Sequence, residues 1–168
     1  MTAEVLQAKT SVENVKTGIQ NADRQAVAKA LAKSLADSYA LYVKTQGFHW
    51  NVVGPLFYGL HKLTEAQYEE MAAAIDEIAE RIRALGHPSP AGFAAFAKLT
   101  SIKDSDGTQS GEKMIRELIA DHETIARSLR ELAELADGAG DAATADLATR
   151  RLDAHEKAVW MLRALIAE

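Results

Sequence analysis

Apolar residues recur at steps of three and four along most of the chain, and no stretch alternates with period two, so the pattern predicts helix almost throughout. The first amphipathic run begins after "QNAD", with Asn21 or Asp23 as the candidate N-cap. Its stripe passes through Val27, Leu31, Leu35, Tyr39, Tyr42 and Val43 and ends near Trp50. The turn "NVVGP" follows, with Gly54 and Pro55 as breakers. A second run covers about Leu56 to Leu85, where Gly86 and "HPSP" stop it. Two more cover about Glu112 to Ala136 and about Asp141 to Ile166, separated by "DGAGD". The segment from His87 to Gly111 is long for a connection in a bundle, which usually takes about 2–8 residues. Its middle, "AGFAAFAKL", is apolar enough to predict a short helix of its own. Four long helices, two short turns and one long crossover predict an all-α four-helix bundle over residues 21–168, behind a polar tail of residues 1–20.

Composition narrows the chemistry. Of the 168 residues, 48% are hydrophobic, enough for one core and a single domain. There is no cysteine, which removes disulfides, thiolate nucleophiles and Fe–S clusters. Any metal must then be held by imidazole and carboxylate, ligands that suit Fe, Mn, Zn or Mg. The opening "MTAEVLQAKTSVENVKTG" has no signal-peptide core, and no apolar run is long enough to span a bilayer, so the expected setting is cytoplasmic, away from the membrane. A net charge of -5 argues against a surface-wide nucleic-acid footprint.

The candidate chemistry lies in "GFHWNVVGPLFYGLHKLTEAQYEEMAAAIDEIAERIRALG", residues 47–86. Residues four apart share a helix face, so His61 with Glu65 and Asp76 with Glu80 form two chelating pairs, and His49 sits just before the turn. From His61 to Asp76 the helix rises roughly 22 Å, too far for one ion to reach both pairs within one chain. Either the pairs are unrelated carboxylates on a solvated face, or a second copy of the helix runs antiparallel and supplies the missing half. A two-fold axis near Glu70 and Met71 would set His61 and Glu65 of one chain against Asp76 and Glu80 of the other, closing a dimer with two equivalent sites. An in-bundle di-iron centre needs Glu-x-x-His, but Gln46, Tyr58, Ala84, Ile119 and Leu152 precede the five histidines by three. Of the other histidines, His155 reads as structural, His122 as surface or interface, and His87 as a turn residue.

The block "FHWNVVGPLFYGLH", followed by "DEIAERIRALG" and the late "HEKAVWMLRALI", resembles the Dps-like mini-ferritins over about residues 22–168. The resemblance implies a ferritin-like bundle and a dodecameric homo-oligomer with ferroxidase sites at its two-fold interfaces. Each site would take His49, His61 and Glu65 from one subunit and Asp76 and Glu80 from its partner, with Glu65 standing where relatives often have Asp. It further implies two irons per site, each giving one electron to hydrogen peroxide, with the Fe3+ product kept as mineral. Trp50 then reads as a core or interface aromatic, or as a sink for stray oxidising equivalents. Asp137, Asp141 and Asp146 are by themselves turn and N-cap residues; the resemblance implies that this region lines a three-fold pore admitting Fe2+. The family's other activity, coating DNA in the nucleoid, is the alternative function. Lys9, Lys16 and Arg24 against Glu4, Glu13 and Asp23 make the tail neutral, which argues against avid DNA binding.

Overall fold

The computed structural model describes residues 9–167, so residues 1–8 of the anticipated tail lie outside the described part. Five helices follow in order: α1 (Asn21–Asn51), α2 (Phe57–Ala84), α3 (Phe93–Leu99), α4 (Gly111–Gly138) and α5 (Ala142–Leu165), with no strand among the described residues. The long helices fall within a residue or two of the periodic runs, and α3 is the short helix of the crossover. α1 packs on α2 and α4 packs on α5 as two hairpins, and the crossover brings α4 back against α1.

The start of α1 differs from the expectation. Its N-cap is Gln20, whose side chain makes no capping bond. The Asn21 side chain instead accepts from the Arg24 guanidinium, and Asp23 lies in the first turn. There a carboxylate still favours the helix by facing its positive end. Val43 also departs from the predicted core stripe: it is 44% exposed and faces a groove beside α3.

The core is continuous, with Leu31, Leu35, Leu41 and Phe48 of α1 meeting Leu60, Ile78 and Ile82 of α2 and Met114, Ile115, Leu118 and Ile125 of α4. Polar latches fix the long crossover. Asp37 is fully buried and its Oδ1 accepts from the Ser101 backbone N–H at 2.6 Å and from the Thr100 hydroxyl at 2.9 Å. Its other oxygen takes the Lys33 ammonium at 2.6 Å. A buried carboxylate with all of its contacts supplied holds a loop in one place, because breaking any of them strands a charge away from water. The segment before α1 is clasped to the end of α2. The Glu13 N–H donates to the Gly86 carbonyl at 2.8 Å, and the Arg83 guanidinium donates to the Glu13 carboxylate at 2.8 Å. Gly86 has φ +86°, and a Cβ there would lie 2.7 Å from the Glu13 carbonyl oxygen.

His122 is another departure. It is buried, not on the surface, and its Nδ1 lies 2.8 Å from Nδ1 of the equally buried His155. Burial, with the Arg151 charge nearby, holds the His122 imidazole down to about 3 and lowers His155 well below its ordinary value. Both rings are neutral at physiological pH, and one proton is shared across the α4–α5 seam. No helix is long and apolar enough to cross a membrane among the described residues.

Candidate metal centre

The site begins where α1 hands over to α2. Phe48 is fully buried and anchors the last turn of α1, and the tight turn through Gly54 sends α2 back alongside it. His49 in the last turn and His61 in the second turn of α2 thereby come face to face. Their rings stack with centroids 3.8 Å apart and planes inclined by 15°. His49 Nδ1 lies 2.9 Å from the His61 carbonyl oxygen, and His61 Nδ1 lies 2.9 Å from the His49 carbonyl oxygen. A carbonyl can only accept, so each Nδ1 must carry its proton and donate it. In a neutral ring this fixes the tautomer and leaves the lone pair on Nε2. The His49 carbonyl is one of those a helix end leaves without a partner within the helix, so this lock also caps α1.

Aromatic rings close the sides of the imidazole pair. Phe57 stacks on His61 at 5.1 Å, and Tyr68 presents its edge to His49 at 5.2 Å. Glu65, one turn beyond His61, is half-buried and paired with Lys62 at 2.6 Å. The hydrogen bond from Lys62, with the charge of that ammonium, holds the Glu65 carboxyl below the usual range. A carboxylate is thus kept ionised beside two imidazole lone pairs, which is the donor set of a hard-to-borderline divalent cation.

Asp76 and Glu80 lie on the far half of α2, exposed and without an ion-pair partner among the described residues. Asp76 shares a cavity wall with Leu35, Tyr39, Ala79 and Phe96, on the α1 and α3 side of the helix. No three His, Asp or Glu side chains among the described residues converge into a metal-holding group. The fold therefore brings His49 and His61 together, with Glu65 one turn beyond His61 and paired with Lys62, and leaves Asp76 and Glu80 apart, as the helix rise requires.

The three aspartates near the α4–α5 turn behave differently from one another. Asp137 is exposed, and Asp146 is exposed and paired with Arg150 at 2.9 Å. Asp141 is not an exposed turn residue: it is 2% exposed and fully engaged. Its Oδ1 caps α5 through the Thr144 N–H at 3.0 Å and takes the Arg81 guanidinium at 2.6 Å, while Oδ2 accepts from the Thr144 hydroxyl. It has no free oxygen to offer a passing ion. Residues that sequence reasoning passed over include Lys62 and Tyr68. The i,i+3 spacing of Lys62 and Glu65 was a readable signal; the contact of Tyr68 with His49 crosses two helices and was not.

Fold and comparison agree on the class. The ferritin-like domain model matches residues 28–168. The chain is 40% identical over 154 residues to an uncharacterized low temperature-induced protein of Nostoc sp., covering 90% of this chain and 86% of that one. It is 38% identical to the DNA protection during starvation protein of Brevibacillus brevis, covering 90% and 99%. The crystal structure of the DPS protein from Vibrio cholerae O1, described as a member of a broad superfamily of ferritin-like diiron-carboxylate proteins, superimposes with a TM-score of 0.87 at 31% identity, covering 95% and 100%. The chain belongs to the Dps-like mini-ferritins.

Proposed function

We propose that this protein oxidises Fe(II) with hydrogen peroxide at sites shared between two subunits and stores the ferric product in a hollow shell of identical chains, a dodecamer by family analogy. One subunit supplies the Nε2 atoms of His49 and His61 and the carboxylate of Glu65; its partner supplies Asp76 and Glu80. The observation that carries this reading is the reciprocal imidazole–carbonyl lock. It sets the two rings side by side with Nδ1 engaged and Nε2 left over, and a histidine ring fixed through its other nitrogen is the usual arrangement of a metal ligand.

Iron is both substrate and cargo. Neutral imidazoles and carboxylates bind ferrous ion while leaving positions open for an oxidant. Two ions in one site supply the two electrons that take peroxide to water, so that no hydroxyl radical leaves. Carboxylates from the partner add to the single negative charge that Glu65 gives the imidazole half. Exposed Asp137 and Asp146 remain candidates for guiding iron inward, whereas Asp141 belongs to the frame.

Mixed assemblies test the shared site. One variant carries His49→Ala and His61→Ala, the other Asp76→Ala and Glu80→Ala. Each alone is expected to be inactive. In a mixed dimer one site is complete and the other empty of ligands, so random co-refolding restores about a quarter of all sites. Co-refolded shells as inactive as the separate variants would sink the inter-subunit model. A second reading, protection of DNA by coating it, is suggested by the name of the Brevibacillus brevis relative. Salt-dependent retardation of DNA by the intact shell would favour it.

A further inference from the structure

Three of the four tyrosines stand in one line. It starts at the site, where the Tyr68 ring lies 5.2 Å from His49 and edge-on to it. Tyr68 meets Tyr42 at 6.1 Å, again edge to face, and Tyr42 meets Tyr39 at 6.2 Å. Each separation falls within the range of rings in contact. The line ends with Tyr39 stacked on Phe96 at 4.7 Å, in the cavity whose wall includes Asp76. Tyr39 precedes His49 by ten residues, roughly 15 Å of rise along α1, so the tyrosines run beside α2 from its imidazole end toward its carboxylate end. All three rings are half-buried, whereas the fourth tyrosine, Tyr58, is 73% exposed and outside the line.

On the proposed reading, the two ends of α2 belong to two different sites of one dimer. We propose that Tyr68, Tyr42 and Tyr39 form a ladder that carries an electron between those sites, so that two ferrous ions held separately can complete the reduction of one peroxide. Ferrous ion at the first site gives one electron to hydrogen peroxide and the O–O bond breaks. The hydroxyl fragment takes an electron and a proton from the Tyr68 phenol and becomes water. Tyr42 refills Tyr68 in the same way, Tyr39 refills Tyr42, and ferrous ion at the second site refills Tyr39, with the proton returned from water. In sum, two ferrous ions, one peroxide and two protons give two ferric ions and two waters, and every phenol is restored. The ladder matters when each site holds a single ion, the case in which a lone ferrous ion would otherwise release hydroxyl radical.

The inference rests on the shared-site reading, and the test separates the two. Intact shells of wild type, Tyr42→Phe, Tyr68→Phe and Tyr58→Phe are loaded anaerobically with one or two ferrous ions per site and mixed with peroxide. Iron oxidation, spin-trapped hydroxyl radical and freeze-quenched tyrosyl signal are read on the same samples. At one ion per site, wild type and Tyr58→Phe should oxidise two irons per peroxide with little trapped radical. Tyr42→Phe and Tyr68→Phe keep the ring but lose the phenol, and should release several-fold more radical and lose the transient tyrosyl signal. At two ions per site Tyr42→Phe and Tyr58→Phe should match wild type. Ladder variants that match wild type at one ion per site, or a protein radical confined to Trp50, would overturn the ladder and leave the site reading standing. A wild type that oxidises no iron would overturn both.

Discussion

His49 and His61 each donate to the other's backbone carbonyl, so losing the His61 ring leaves the His49 carbonyl without its donor, while His49 keeps its own bond to the backbone at position 61. His61→Ala is expected to cost about 1–3 kcal/mol of stability, the usual range for an orphaned buried polar group, in addition to abolishing iron oxidation. Urea unfolding of the metal-free protein reads the first effect independently of the second. The other histidine pair makes a pH prediction. The His122 and His155 rings titrate below their unfolded values, so the unfolded chain binds more protons. Their contribution is present in full above the ordinary histidine value and is lost as pH falls from about 6.5 toward about 3, at up to about 1.4 kcal/mol per pH unit for each ring. Unfolding midpoints measured between neutral pH and pH near 5 should therefore fall in wild type. They should fall less steeply in His122→Leu/His155→Leu; equal slopes would refute the assignment.

At the scale of elements, the α4–α5 turn separates two aspartates that look alike in sequence. Asp141 caps α5 and neutralises Arg81, so Asp141→Ala is expected to destabilise the fold by about 2–4 kcal/mol. Asp146 makes an exposed i,i+4 pair, and Asp146→Asn should shift stability by less than about 1 kcal/mol. Thermal melts of the two variants give the comparison; similar melting points would contradict the assigned roles. Their difference was hidden because "DGAGD" announces a turn, while Arg81 arrives from α2, far away in sequence. The cap of α1 failed for a related reason. Asn and Asp favour N-caps by propensity, but Asn21 found a partner in Arg24 and the helix began one residue earlier.

For the whole molecule, large apolar side chains stand exposed on several faces. Trp50 is 68% exposed, Val53 78%, Phe93 76% and Trp160 67%. Isolated exposed apolar residues are ordinary, but this many large ones on helices and in the α1–α2 turn suit surfaces that meet other copies of the chain. Light scattering is expected to return a large symmetric assembly, and Phe93→Glu to lower its mass; a wild-type monomer would remove the basis for shared sites. The segment clasped at Glu13 and the neutral charge of the tail argue for weak contact with DNA. Gel retardation at about 150 mM salt should show little complex, since phosphate contacts of a few lysines are largely screened there.

What the sequence determined by itself was local. Apolar spacing of three and four, with glycine and proline between the runs, set four long helices and the short α3, because helix periodicity and chain breaking act over a few residues. Residue spacing likewise set that His61 and Glu65 share one turn while Asp76 and Glu80 stand about 22 Å away, since helix rise is constant. Tertiary structure decided what depends on two helices meeting. The stacked imidazoles, their protonated Nδ1 atoms, the buried His122–His155 pair and the line of tyrosines all cross from one helix to another. Their geometry follows from how side chains interdigitate between packed helices, which periodicity along a single helix does not encode.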